Sequence, residues 1–152
     1  MIKAGETLPP ATLTDSTGAP TTLDAYAGRR VLFFYPKAST PGCTTEAVEF
    51  SAAKADFDAA GVTVIGLSAD SPKKQANFIT KSGLTVPILS DESTQWLAAL
   101  GIWAEKKNYG KTYMGIIRTT LLVDAQGVVE RVWSPVKVKG HVAEVLDTVR
   151  GG

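Results

Sequence analysis

The sequence predicts an α/β domain with a mixed central sheet flanked by helices, and three stretches carry that expectation. "VLFFYP", ending at Pro36, is a continuous apolar run closed by proline, as suits a strand buried on both faces. Ala47, Phe50, Ala53, Phe57 and Ala60 then recur at intervals of three and four, which is one face of a helix. Near the carboxyl end, "IIRTTLLVD" and "VVERVWSP" flank a tight "AQG" turn in the manner of a β-hairpin.

Taken in order, "PPATLTDSTGAPTTLDAYAG" has β-prone pieces around Thr17 and Gly18 and predicts a small hairpin with a following turn. The strand ending at Tyr35 comes next. One helix is then expected from the cap Thr40 to its stop at Gly61. "VTVIGLSAD" reads as a second strand. Ser71 and Pro72 place a cap and a first-turn proline at the head of a helix that runs to about Ser82 and stops at Gly83. "VPILSD" is a short strand, and Asp91 can cap a helix carrying Trp96, Leu97 and Leu100. "EKKNYGKTYMG" reads as a loop before the hairpin. Val142, Val145, Leu146 and Val149 form the apolar stripe of a last helix that begins at His141. Strand–helix–strand–helix followed by hairpin–helix is the order of a thioredoxin-like fold. An amino-terminal hairpin extends it, and a strand and helix are inserted between residues 84 and 100.

A chain of 152 residues suits one domain, 1–152, able to bury a core without disulfides or metals. Sixteen basic residues against fifteen acidic ones give a net charge of +1, which offers no electrostatic case for nucleic acid or an anionic membrane. "MIKAGETLPP" has no apolar core of a signal peptide, and no run is long enough to span a bilayer, so a cytoplasmic protein is expected. A single cysteine excludes an internal disulfide and a thiolate cluster, and the single histidine, His141, has no partner of its kind. Neither metal nor cofactor is expected.

That one cysteine, Cys43, falls in the first turn of the predicted helix behind Thr40 and Pro41. Free backbone N–H groups and the positive end of the helix dipole favour a thiolate there. Because nucleophilicity falls with basicity, ionisation alone is a weak catalyst, and donors aimed at developing charge must supply more. Thr40 lies one turn before Cys43. Arg118 opens the strand expected to run antiparallel beside "VLFFY", which would set its guanidinium opposite the thiol at the mouth of the fold. Pro36 has no N–H and could wall the sulfur without competing for hydrogen bonds. A thiolate with a hydroxyl, a guanidinium and backbone amides but no general base suits cleavage of a peroxide O–O bond.

"FFYPKASTPGCTTEA" carries Pro36, Thr40 and Cys43 in the PxxxTxxC pattern and resembles the active site of peroxiredoxins. "WAEKKNYGKTYMGIIRTTLLVDAQGVV" resembles the matching segment of the peroxiredoxin Q, or bacterioferritin comigratory protein, group. The resemblance implies that Cys43 attacks hydrogen peroxide or an alkyl hydroperoxide and becomes a sulfenic acid. Thr40 and Arg118 would orient the peroxide, and Pro36 would shield the product. Glu46 either steadies the arginine or merely places a charge near the helix start.

The chain departs from that group where a resolving cysteine often stands, since those positions carry Val48 and Ile79. A 1-Cys form is implied, recycled by an external thiol such as thioredoxin, glutaredoxin or glutathione. A monomer is favoured, with a Cys43-linked dimer on oxidation as the alternative. Other cysteine chemistries lack their residues. Glu46 stands where a CxxC would need its second thiol, Glu49 where a tyrosine phosphatase needs arginine, and only His141 could act as a hydrolase base. A non-enzymatic peroxide sensor using the same thiol is the rival function. Trp96, Trp103, Tyr109, Tyr113 and Met114 either line a peroxide entrance or a partner surface or serve as ordinary core and loop packing.

Overall fold

The computed structural model describes residues 1–151, so the last position of the expected 1–152 span, Gly152, lies outside the described residues. Its strands are β1 (Leu13–Thr14), β2 (Pro20–Thr21), β3 (Arg29–Phe34), β4 (Val62–Ser68), β5 (Ile88–Ser90), β6 (Trp103–Asn108), β7 (Lys111–Ile116), β8 (Thr119–Val123) and β9 (Val129–Trp133). Its helices are α1 (Pro41–Ala52), α2 (Lys54–Ala59), α3 (Pro72–Ser82), α4 (Gln95–Ala99) and α5 (His141–Val149). Seven strands form one mixed sheet in the order β2-β1-β5-β4-β3-β8-β9.

β3 runs parallel to β4 and antiparallel to β8, with Phe34 opposite Leu67 on one side and Thr119 on the other. Its side chains alternate between two cores, as the pleat requires. Val31, Phe33 and Tyr35 pack with Phe50, Phe57, Phe78 and Val145 beneath the long helices. Leu32 and Phe34 pack with Trp96, Leu97 and Leu100 on the opposite face. The apolar run thus reflects burial on both sides.

The expected fold class stands, including the amino-terminal hairpin, which adds β1 to the sheet edge beside β5. Ser71 Oγ accepts from the Lys74 amide, and Gly83 closes α3 with φ of 62°. Asp91 also acts as a cap, although from outside the helix: its Oδ2 accepts from the amides of Trp96 and Leu97 at 3.1 and 3.0 Å. Among the described residues no helix is long and apolar enough to cross a membrane.

Two expectations change. The single helix from Thr40 to Gly61 is broken at Ala53 into α1 and α2. Thr85 supplies the reason, because its hydroxyl donates to the Ser51 carbonyl and its amide to Ser51 Oγ. That carbonyl is engaged from outside, and the apolar spacing continues straight through the break.

The "EKKNYGKTYMG" segment is also no loop. It forms most of a separate β6–β7 hairpin, paired from Trp103 and Ile116 to Asn108 and Lys111. Tyr109 and Gly110 both take positive φ, 51° and 74°, the tight turn that matches strand twist. Its residues are mostly exposed, so the alternation that marks a half-buried strand is absent.

Candidate active site

The register of β3 against β8 builds the site. Because Phe34 faces Thr119, the chain that leaves β3 through Tyr35 and Pro36 passes the residue just before β8, which is Arg118. The Arg118 carbonyl is itself fixed by the Val136 amide at 2.8 Å. The loop from Pro36 to Thr40 then delivers the chain to α1.

That loop is tied down from outside. Asp70 Oδ2 accepts the Ala38 amide at 2.8 Å and the Ser68 hydroxyl at 2.7 Å. Behind them, buried Gln75 donates to Ser68 Oγ and accepts the Tyr35 hydroxyl. Desolvation holds that phenol far above its ordinary pKa, so it stays a donor. Ser39 takes a left-handed φ of 64°, which turns the chain sharply into the helix.

Thr40 occupies the cap position in an extended conformation with Pro41 next, as the sequence suggests, but its hydroxyl does not cap. It donates instead to the Lys37 carbonyl at 2.8 Å, brought within reach by the Ser39 turn. Thr44 N–H takes the Thr40 carbonyl at 2.8 Å. Among the described residues, the amides of Gly42 and Cys43 have no acceptor, so the head of α1 presents free donors around the thiol.

Arg118 reaches the sulfur. Its Nη2 lies 3.3 Å from Cys43 Sγ, and its Nη1 lies 2.8 Å from Glu46 Oε1. One guanidinium therefore bridges the thiol and a carboxylate one turn further along α1. Burial draws the Arg118 pKa down, but the sulfur and the Glu46 carboxylate together outweigh it and leave the net shift upward. Glu46 is fully buried and its Oε2 has no partner. Burial pushes its pKa up to about 7, with Arg118 opposing. Glu46 lies beyond the first turn of α1, so its environment is that of the arginine's partner, not of a helix-start charge.

Cys43 does not sit at an open mouth. Only 1% of it is exposed, under the exposed Pro41 and Gly42 and beside a partly exposed Arg118. A Cβ at Gly42 would stand 3.4 Å from Arg118 Nη2, so the missing side chain keeps the guanidinium close to solvent.

The remaining residues fall around this centre. Pro36 lines a cleft of about 570 Å³ together with Lys37, Lys74, Trp103, Lys106 and Tyr113. Val48 is exposed on α1, and Ile79 is partly buried against the core, so both positions hold aliphatic side chains only. Trp96 is core, packed on Phe34 and donating to the Pro9 carbonyl, while Tyr109 is exposed at the hairpin turn. His141 starts α5, where its Nε2 lies 2.8 Å from Thr120 Oγ1. Asp70, Ser68 and Gln75 are residues around the site that the sequence does not single out. "SAD" between a strand and a helix cap was the one local signal for Asp70, since a polar group at a strand end often ties a loop.

The chain is similar to known proteins along nearly its whole length. A sequence model of the AhpC/TSA family matches residues 4–132. Peroxiredoxin Bcp of Xanthomonas campestris is 44% identical over 148 residues, covering 94% of this chain and 92% of that protein. Peroxiredoxin Bcp of Escherichia coli K12 is 41% identical over 150 residues, covering 98% and 96%. A solved structure of the X. campestris bacterioferritin comigratory protein superposes with a TM-score of 0.91 at 41% identity, covering 99% of this chain and 98% of that one. That structure comes from work on the protein's alkyl peroxide reduction activity with trapped intermediate and ligand complexes.

Proposed function

The chain belongs to the AhpC/TSA family and is a peroxiredoxin, a thiol-dependent peroxidase, and from that premise we propose that Cys43 is its nucleophile and Arg118 its principal donor. The observation that carries the assignment is the 3.3 Å approach of Arg118 Nη2 to Cys43 Sγ. A permanent cation there can follow negative charge from the sulfur onto oxygen as the reaction proceeds.

Cys43, as the thiolate, attacks the terminal oxygen of hydrogen peroxide or an alkyl hydroperoxide. The S–O bond forms as the O–O bond breaks, and the departing hydroxide or alkoxide takes a proton to leave as water or alcohol. Sulfur is oxidised to the sulfenic acid, and the peroxide is reduced. The Arg118 guanidinium and the free amides of Gly42 and Cys43 stabilise the charge in transit. Thr40 has committed its proton to the Lys37 carbonyl, so its oxygen is left as an acceptor for the peroxide O–H. Pro36 closes the pocket without adding a competing donor.

With aliphatic side chains at 48 and 79, recycling calls for a thiol from outside. The burial of Cys43 supports a monomer working with that thiol, because a bridge between two copies would require Cα atoms within about 7 Å. Thioredoxin, glutaredoxin and glutathione are the candidate reductants, and the cytoplasm is the compartment that supplies them.

Turnover tests the reading. With dithiothreitol and a large excess of peroxide, the protein should consume many equivalents, and Cys43→Ser should consume none while keeping its circular dichroism. Arrest after one equivalent would make it a sensor, and activity in the serine variant would name the wrong nucleophile.

A further inference from the structure

A sulfenic acid on a sulfur that is 1% exposed is poorly placed to meet a cysteine fixed on another protein's surface. A small thiol can follow the route that peroxide takes. Beside the site lies a cleft of about 570 Å³ whose lining includes Pro36 and Lys37, from the loop that carries Cys43 to its helix, and Ile116, two residues before Arg118. That is room for a molecule of tripeptide size.

Its charges are uneven. Lys37, Lys74 and Lys106 all line it, and among the described residues none of them has a carboxylate within ion-pair distance. Of the two acids present, Asp70 is already committed to the Ala38 amide and the Ser68 hydroxyl, leaving only exposed Glu92. Lys106 is also set in place. A Cβ at Gly115 would stand 3.2 Å from Lys106 Cδ, so glycine there leaves room for the lysine stem to lie along the β6–β7 hairpin. Burial and the Arg118 charge both lower the Lys106 pKa while Cys43 raises it, which puts this ammonium within electrostatic reach of the reacting groups. Exposed Tyr113 and Met114 supply apolar wall on the same hairpin.

We propose that this cleft binds a low-molecular-weight thiol bearing carboxylates, of the glutathione type, with Lys37, Lys74 and Lys106 holding the carboxylates while the thiol reduces Cys43. This rests on the peroxidase reading of Cys43 and names its reductant. The bound thiol attacks the sulfenic sulfur as its thiolate. An S–S bond forms, the S–O bond breaks, and the departing hydroxide takes the thiol's proton to leave as water. A second thiol then attacks the mixed disulfide, releasing the Cys43 thiol and a small-molecule disulfide, so two thiols are oxidised for each peroxide reduced.

The test starts from protein oxidised with one equivalent of peroxide, whose Cys43 oxidation rate is recorded first. Mixed-disulfide formation is then timed against glutathione, neutral 2-mercaptoethanol and cationic cysteamine, each corrected for its own thiolate fraction and basicity. Two exposed charge pairs of ordinary strength should favour glutathione over 2-mercaptoethanol by about tenfold, with cysteamine slowest. Added salt should erode that ratio. Within each variant the ratio is its own control: Lys37→Gln/Lys74→Gln/Lys106→Gln should bring it near one, and the triple Lys→Glu variant should invert it toward cysteamine. Equal corrected rates for the three thiols, an unaltered ratio in the variants, or fast reduction by reduced thioredoxin alone would overturn the proposal. Slow oxidation of Cys43 in the first step would instead sink the peroxidase reading, so the two failures are told apart.

Discussion

Arg118 Nη2 stands 3.3 Å from Cys43 Sγ although 75 positions separate the two residues in the chain. The antiparallel pairing of Phe34 with Thr119 brings them together, and a slip of one residue in that register would turn every side chain of β8 to the other face. Replacing Arg118 with alanine should slow Cys43 oxidation on the order of 10²-fold, the cost of losing one such donor. Lysine should restore only part of the rate, because a single ammonium cannot span both the sulfur and Glu46 as the fork does. Stopped-flow tryptophan fluorescence or competition with a reporter peroxidase measures both variants, and an unchanged rate in Arg118→Ala removes the arginine from the site.

Glu46 should leave a mark on stability. Its pKa is raised from 4.5 to about 7, chiefly by burial. Between those values the native protein keeps a proton that the unfolded chain has released. Its contribution to stability is therefore full below pH 4.5 and falls as pH rises through the window. Glu46→Gln keeps the shape and the bond from Arg118 but removes the titration, so denaturant unfolding of this variant should lose that component. A variant with the same pH slope as the parent between pH 5 and 7 would contradict it.

Asp70 should act on the loop instead of on the chemistry. Asp70→Ala leaves the Ala38 amide and the Ser68 hydroxyl without their acceptor, and because both bonds are only part-buried the cost should fall at or below about 1 kcal/mol, the low end for a stranded buried group. Amide hydrogen exchange at Ala38 should accelerate while the β3 amides stay protected. Unchanged exchange at Ala38 would mean the loop is held by something else.

Gly66 marks a close approach in the central sheet. A Cβ there would fall 2.6 Å from Phe33 Cζ and 2.7 Å from Ile88 Cδ1, both in the core beneath the helices. Gly66→Ala should cost about 1–3 kcal/mol in urea unfolding through overpacking. An equally stable variant would show that Phe33 can move aside.

The legible parts of the sequence were those where one local pattern has one physical meaning. A doubly buried strand must be apolar throughout, so "VLFFYP" announced the central strand. Ser71-Pro72 and Gly83 framed α3 because capping and left-handed closure need those residue types. Topology, together with the resemblance to peroxiredoxins, puts Arg118 beside the thiol. Other features depended on partners far along the chain. Thr85 engages Ser51 from outside where the helix breaks at Ala53, and the apolar spacing of α1 and α2 gives no hint of it. The β6–β7 hairpin packs too few of its side chains to show alternation. Thr40 reads as a cap residue and takes that position, yet its hydroxyl turns back to Lys37 because Ser39 adopts a left-handed φ that no local pattern requires. The near-complete burial of Cys43 was likewise invisible, since it comes from the packing of loop and helix against the sheet.

Single-turnover oxidation of Cys43 in the reduced protein, with no recycling thiol present, bears most directly on the central claim that Arg118 and the head of α1 make this sulfur a peroxide-cleaving nucleophile. Hydrogen peroxide should oxidise Cys43 at least 10²-fold faster than it oxidises a free thiolate of matched basicity, the effect of at least one well-aimed donor. A rate equal to that of the free thiolate would contradict the account, however close the guanidinium and the sulfur lie.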